Sequence, residues 1–380
     1  MPDLQHFHQA PGARPAFDVL LPCVPKAVSS FALRLVDWQR LHGRHDLPWQ
    51  NTRDPYRVWL SEVMLQQTQV VTVLGYYQRF LTAFPDVQAL AAAHLDQVLG
   101  LWSGLGYYSR ARNLHACAQQ VVSEFGGVFP QQMEGLQTLK GIGPSTAAAI
   151  ASLCFEQRVA ILDGNVKRVL TRHRGFALDL SSSANEKKLQ AIADNCLPLN
   201  AIDMPSYTQG IMDLGATLCT RSAPACTRCP VRADCVAFAG ANPGDYPVKT
   251  RKIKRSSQSL WLLCASTQEG DVCLIQRPST GVWAGLYTQP LFDSEQKLLE
   301  AVPERLRHSV RVEPALVHVL THKDLHLHAC HVLLPEKITL GAGGWFSAAQ
   351  WPVMGLPAPV RKLLEPQLLK PRPARGGVSS

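Results

Sequence analysis

The chain has no uninterrupted apolar stretch long enough to cross a bilayer, which argues against a membrane-spanning protein. Its first residues mix His, Pro and acidic side chains and lack the basic-then-apolar order of a secretory signal. Charged residues are scarce, at 18%, while hydrophobic residues make up 46%, a balance that excludes a disordered chain. Acids are the scarcer charge, with 29 Asp and Glu against 38 Lys and Arg and a net charge of +9. The basic excess favours a polyanionic partner, because each cation placed on a phosphate releases a counterion. Eleven cysteines show no regular pairing, so the expected compartment is a reducing one and the expected location cytoplasmic. No solenoid-type repeat is present, and a length of 380 residues suggests two domains.

What the chain does have is a cluster of thiols. Cys219, Cys226, Cys229 and Cys235 stand with six, two and five residues between them, close enough to cage one inorganic centre. The choice lies between a zinc ion and an iron–sulfur cluster. Structural zinc usually takes two C-x-x-C pairs, and only Cys226 and Cys229 form one here. This spacing, just after Met212-Asp213-Leu214-Gly215, resembles the 4Fe–4S motif of the endonuclease III superfamily of DNA repair glycosylases.

Residues 1–30 show no sustained period and are expected to be a flexible extension. From Phe31 to about Phe238 the apolar spacing is helical, broken by Gly and Pro punctuation such as Phe84-Pro85-Asp86. Residues 246–258 form a basic linker holding Lys249, Arg251, Lys252, Lys254 and Arg255. Leu260–Cys264, Val272–Gln276 and Leu325–Leu333 are expected strands, and Ala358–Leu364 a closing helix. The expected fold is multi-domain. An all-α unit over 31–245 precedes an α+β unit over 259–370, and 371–380 forms a disordered tail.

Two carboxylates stand out. In Leu139-Lys140-Gly141-Ile142-Gly143-Pro144-Ser145-Thr146, the glycines permit a tight turn and Pro144 suits the first position of a helix. Such a turn aims backbone N–H groups outward, where they bind phosphate without reading sequence. Taken alone it fits any αα turn; ahead of the cysteines it resembles the superfamily's helix-hairpin-helix. The superfamily then implies a downstream acid, and Asp163 fills that place, which would equally suit a helix N-cap. Upstream, the stretch from Val58 to Val70 reads as one apolar helix in which Glu62 is the only charge. Apolar surroundings raise a carboxyl pKa, as a general acid near neutral pH requires. Breaking an N-glycosidic bond needs an acid for the departing base and an anion for the cationic sugar. Glu62 and Asp163 supply one of each.

The Leu65-Gln66-Gln67-Thr68-Gln69 segment resembles the catalytic helix of the MutY-type adenine DNA glycosylases. That resemblance implies supporting roles for Ser145 and Asn165, and DNA contacts by Leu65, Gln67, Thr68, Lys140, Gly141 and Gly143. It also implies an adenine pocket that includes Trp49 and Gln209. Bifunctional relatives carry a lysine on the hairpin; Ser145 stands there in this chain, which points to a monofunctional enzyme using water. In Leu101–Arg110, glycine turns are expected to present Leu105 and Tyr107 as wedges, with Arg110 and Arg112 behind them.

The C-terminal unit resembles the Nudix-like recognition domain of the same family. No Arg-Glu...Glu-Glu cluster follows Gly285, so the fold is expected without the hydrolase. The family inspects 8-oxoguanine through an aromatic-Ser-His loop, and this chain has Leu320-Thr321-His322. The histidine and a hydroxyl remain but the ring is replaced, which leaves stacking unsupported. His326 and His328 alternate on one strand face, where histidines are more often solvated, and with His331 they show no four-ligand spacing. Together these readings imply a monomeric, cytoplasmic adenine DNA glycosylase with a 4Fe–4S cluster. Its substrate would be duplex DNA holding A opposite 8-oxoguanine or G. The rival readings are a bifunctional lyase, a non-catalytic damage-binding protein and a nucleotide pyrophosphohydrolase, the last disfavoured by the missing glutamate cluster.

Overall fold

A computed structural model describes residues 30–251 and 254–368 of the chain, with side chains through 365. The extension expected over 1–30, apart from Ser30, lies outside the described residues, as do Lys252 and the tail from Pro371. Among the described residues no helix is long and apolar enough to cross a membrane.

The α-helices of the first unit lie between Ser30 and Ala239 and divide into two lobes. The first helix, Ser30–His42, packs on Met204–Thr217 and joins the second lobe's core through Phe31, Leu35, Val169 and Leu214. The chain then crosses to build the first lobe from Pro55 to Phe155, around Trp59, Phe80, Trp102 and Leu114. It returns at Gly164–Arg174. The two crossings place the segments around Trp49 and Asp163 between the lobes, where a site can draw on both.

Local chemistry fixes the elements that matter. Asp54 caps the helix Pro55–Leu65, accepting from the Tyr56 amide at 2.9 Å, with Pro55 in its first turn. This helix starts earlier and ends sooner than the apolar run from Val58 to Val70 suggested. Arg57 lies inside it, so Glu62 is not its only charge, and Gln66–Gln69 form a turn before the next helix, Val70–Ala83. The hairpin helix Pro144–Phe155 starts at Pro144 behind Gly143, and its alanines at 147, 148, 149 and 151 are buried. Gly141 has φ +79, and a Cβ there would meet the Cβ of Asn113 at 2.6 Å, so glycine is required at that position.

The second unit is a mixed sheet. Its strands are β1 (Ser256–Thr267), β2 (Val272–Gln276), β3 (Tyr287–Thr288), β4 (Leu291–Phe292), β5 (Arg311–Val312), β6 (Leu316–Val319), β7 (Lys323–Leu334) and β8 (Gly344–Phe346). β1 begins three residues before the expected boundary at 259, because its N-terminal end pairs with the start of β7. β1 and β7 run parallel in unbroken register from Ser256↔Lys323 to Thr267↔Leu334. The order is β3-β2-β1-β7-β5, with β6 also on β7, β4 on β1 and β8 on β2. Alternation splits the side chains between two faces. Leu263, Ala265, Cys330 and Val332 lie over the helix Glu295–Ala301, whereas Leu262, Leu325 and Leu327 face the helical unit. There they share one apolar core with Leu99, Trp102 and Leu105.

Candidate active site

Glu62 sits three residues from the end of its helix, half-buried beside Ser61, Val63 and Met64. Burial pushes its carboxyl up to about 7, and the nearby Asp163 charge acts in the same direction. Asp163 caps the helix Gly164–Arg174 by accepting from the Val166 amide at 2.7 Å. Burial raises its pKa too, but the Val166 and Asn165 amides and the cations of Arg168 and Lys167 oppose the rise. The two acids therefore differ in kind. Glu62 is placed to hold a proton near neutral pH, while Asp163 has donors that favour its anion. Both the catalytic and the capping readings of Asp163 are compatible with this geometry.

Asn165 is tied down rather than free, since its Oδ1 accepts from Arg168 Nη2 at 2.7 Å. Arg168 also donates through Nε to the Cys219 carbonyl at 2.7 Å, linking the Asp163 turn to the cysteine loop. Ser145 is the second residue of the hairpin helix and is half-buried. Lys140, Gly141 and Gly143 are exposed on the hairpin turn, while Gln67 is exposed at φ +58 in the turn after Leu65. Thr68 Oγ1, half-buried, takes a bond from Arg110 Nη2 at 3.1 Å.

The expected wedge residues differ in placement. Tyr107 is 45% exposed with φ +48, whereas Leu105 is buried, only 6% exposed, and does not project from the loop. The two arginines behind them are both committed to backbone carbonyls. Arg110 is buried and bonds to backbone carbonyls of the Glu62 helix, and Arg112 donates to the Ala284 carbonyl at 2.7 Å across the domain boundary. The Tyr107 hydroxyl lies 3.0 Å from Thr321 Oγ1, so residues 214 positions apart meet at one place. Thr321 and His322 are exposed in a tight turn closed by the Leu320 amide on the Lys323 carbonyl at 2.8 Å.

Trp49 and Gln209 line one cavity of about 470 Å³ between the two lobes, together with Arg44, Val58 and Leu153. Trp49 is packed edgewise on Tyr77 at 5.2 Å. Gln209 donates from Nε2 to Asp213 Oδ1 at 2.9 Å, leaving its carbonyl oxygen for a ligand. Asp213 is fully buried and paired with Arg44 at 2.6 Å. The same cavity holds a residue that sequence reasoning missed. Gln50 has a buried amide whose nitrogen and oxygen both lack a protein partner, an arrangement that suits a ligand edge offering one donor and one acceptor. Its only sequence signal was adjacency to Trp49.

Cys219, Cys226, Cys229 and Cys235 line a second cavity with Arg172, Leu218 and Phe238. The thiols stand around this space instead of converging on a point. Among the described residues no three His, Cys, Asp or Glu side chains group as ligands of one metal ion. Arg172 is buried; its Nη1 lies 3.4 Å from Cys219 Sγ and 2.7 Å from the Thr220 carbonyl. Four soft donors around one space, with a fixed cation beside them, fit an anionic cluster larger than a single ion. The C-terminal histidines have other partners. His328 stacks on Trp261 at 4.5 Å, and His331 lies 3.2 Å from Glu313. The helix Glu295–Ala301 carries only Glu295 and Glu300 as acids.

Comparison with known proteins agrees with both units. Residues 60–194 match the HhH-GPD superfamily of base excision DNA repair proteins, and residues 261–366 match the NUDIX domain. A protein of Buchnera aphidicola subsp. Acyrthosiphon pisum named adenine DNA glycosylase is 35% identical over 88% of this chain and 97% of its own length. Proteins of the same name from Mus musculus and Homo sapiens are 36% and 34% identical, covering 78% and 89% of this chain and 69% and 71% of theirs. Similarity at this level across both units places the chain in the adenine DNA glycosylase family.

Proposed function

We propose that this chain hydrolyses the N-glycosidic bond of adenine in duplex DNA, where adenine stands opposite 8-oxoguanine or guanine, and leaves an abasic site. The observation that carries the reading is the unequal pair, Glu62 pushed up to about 7 beside an Asp163 held by backbone N–H groups. Glu62 gives its proton to a ring nitrogen of the base, which then departs neutral. Asp163 lowers the energy of the positive charge that develops on the sugar. Water adds its oxygen to the sugar carbon and its released proton returns to a carboxylate. Ser145 offers no amine for a Schiff base, so the reaction stops at the abasic site.

In this reading Gln50 and Gln209 pair with the adenine edge, and Trp49, which lines the same cavity, forms a wall of the pocket. Tyr107, Gln67 and Thr68 face the gap and the opposite strand. Thr321 and His322 meet the opposing base, where 8-oxoguanine differs from guanine by an N7–H donor and an O8 acceptor. Cys219, Cys226, Cys229 and Cys235 are the residues that would hold a 4Fe–4S cluster; when bound, it fixes the loop after Met204–Thr217. The test is a single-turnover assay on duplexes holding A opposite 8-oxoguanine, A opposite G, and thymine glycol. Excision from the first two, without borohydride trapping, is expected. Efficient trapping, or activity on thymine glycol alone, would replace this reading with a lyase. Anaerobically purified protein should hold about four irons per chain; stoichiometric zinc without iron rejects the cluster.

A further inference from the structure

Arg110 is the most heavily committed side chain in the first lobe. Its guanidinium donates to the carbonyls of Val63, Met64 and Gln66 at 2.9, 2.8 and 2.6 Å. It also donates to Thr68 Oγ1 at 3.1 Å and to the carbonyls of Leu105 and Gly106 at 3.3 and 3.2 Å. The first group of acceptors is the C-terminal end and cap of the Glu62 helix, whose carbonyls have no helical donors. The last group belongs to the glycine loop that carries Tyr107, whose ring centroid lies 5.4 Å from the guanidinium carbon. Among the described residues no carboxylate pairs with Arg110. Its charge rests instead on carbonyl dipoles, those of a helix C-terminus included. Burial lowers its pKa to about 10, which leaves it cationic at neutral pH.

We infer that Arg110 is a positioning residue that fixes the Tyr107 loop to the Glu62 helix and the Gln67–Thr68 turn, so that extrusion of the adenine and filling of the gap occur as one movement. One planar fork can hold three segments at once; an ammonium is a point charge and cannot. Arg110 is buried and its bonds go to protein acceptors, so its effect should appear in extrusion and not in bond cleavage.

This inference rests on the proposed adenine excision, and one experiment separates the two. Single-turnover excision is measured for native protein, Arg110→Lys and Arg110→Met on adenine paired with G, and on adenine in an unpaired bubble. In the bubble most of the cost of opening the helix is already met. The lysine variant keeps a cation under the helix end and guards against simple misfolding. Both variants should lose roughly tenfold or more on the paired duplex and distinctly less in the bubble. Added methylguanidinium should restore part of the loss in Arg110→Met. A parallel loss on both substrates marks a purely structural role and overturns the inference, as does no loss on either. Inactivity of the native protein on both substrates would remove the glycosylase reading and this inference with it.

Discussion

Glu62 holds a proton at a pH where an ordinary glutamate has lost it. Unfolded, such a carboxyl titrates at 4.5; in the folded chain it is raised to about 7. Between those values the folded protein binds a proton that the unfolded chain releases. Stability therefore falls as pH rises through this window, and the penalty persists above it. The full penalty is at most about 3 kcal/mol. Glu62→Gln should accordingly abolish excision, because an amide cannot protonate the base, while raising stability at alkaline pH and changing it little in acid. Native excision should also decline as pH rises through about 7. Urea unfolding of both proteins at acid and alkaline pH, with single-turnover rates, checks this. A variant that is active, or one destabilised at high pH, would sink the assignment. The apolar setting of Glu62 was legible because a lone acid among apolar neighbours is a local signal. Gln50 was not legible, since its unpartnered amide exists only once the two lobes enclose it.

At the scale of elements, the hairpin turn separates two glycines that look alike in sequence. Gly141 needs φ +79 and has Asn113 against it, whereas Gly143 has open space where a Cβ would stand. Gly141→Ala should cost roughly 1–3 kcal/mol and weaken binding to any duplex about equally, because a hairpin on phosphate positions without reading sequence. Gly143→Ala should leave the fold intact. Thermal unfolding and binding to undamaged DNA test the contrast; equal effects from both would show that the turn is not strained as described. The start of this helix at Pro144 followed from residue chemistry alone. The Glu62 helix was harder. It starts at Asp54-Pro55, three residues before the apolar run from Val58 by which the sequence announces it. Its end at Leu65 has no Gly or Pro to announce it, and the Arg110 bonds that hold the turn come from a distant helix.

For the molecule as a whole, the C-terminal unit also holds the helical unit in place. Its Leu356 carbonyl accepts from Ser103 Oγ and the Tyr108 hydroxyl at 2.8 Å each, and Arg361 Nε donates to Ser103 Oγ at 3.0 Å. These bonds brace the loop that carries Tyr107. Deleting the residues after Arg255 removes the Thr321–His322 turn and also uncovers Leu99 and Trp102, each worth roughly 1.5–3 kcal/mol when buried. The truncated chain should unfold more readily and excise adenine more slowly even opposite guanine. Thr321→Ala with His322→Ala should act more narrowly, lowering the preference for 8-oxoguanine alone. Paired duplexes that differ only in the opposing base distinguish the two outcomes, and an unaltered preference in the double variant moves recognition to Gln67 and Thr68. The existence of two units and their order were legible from the change in periodicity after Ser259. The bonds between them were not, since nothing beside Arg112 in the sequence points to its partner carbonyl at Ala284.

Asp163 begins a helix with the same carboxylate that the proposed reaction sets against the charge on the sugar. Asparagine caps a helix about as well as aspartate does. Asp163→Asn should therefore yield a chain that folds normally, survives surveillance in a cell and still closes on its lesion. It would then stay there without cutting, shielding the mispair from any other repair. Asp163→Ala, the cruder change, loses the cap, costs about 1 kcal/mol of stability, and is depleted before it can obstruct anything. Of the two, the gentler substitution should be the more harmful. Expressing each beside the native protein and counting mutations would show it.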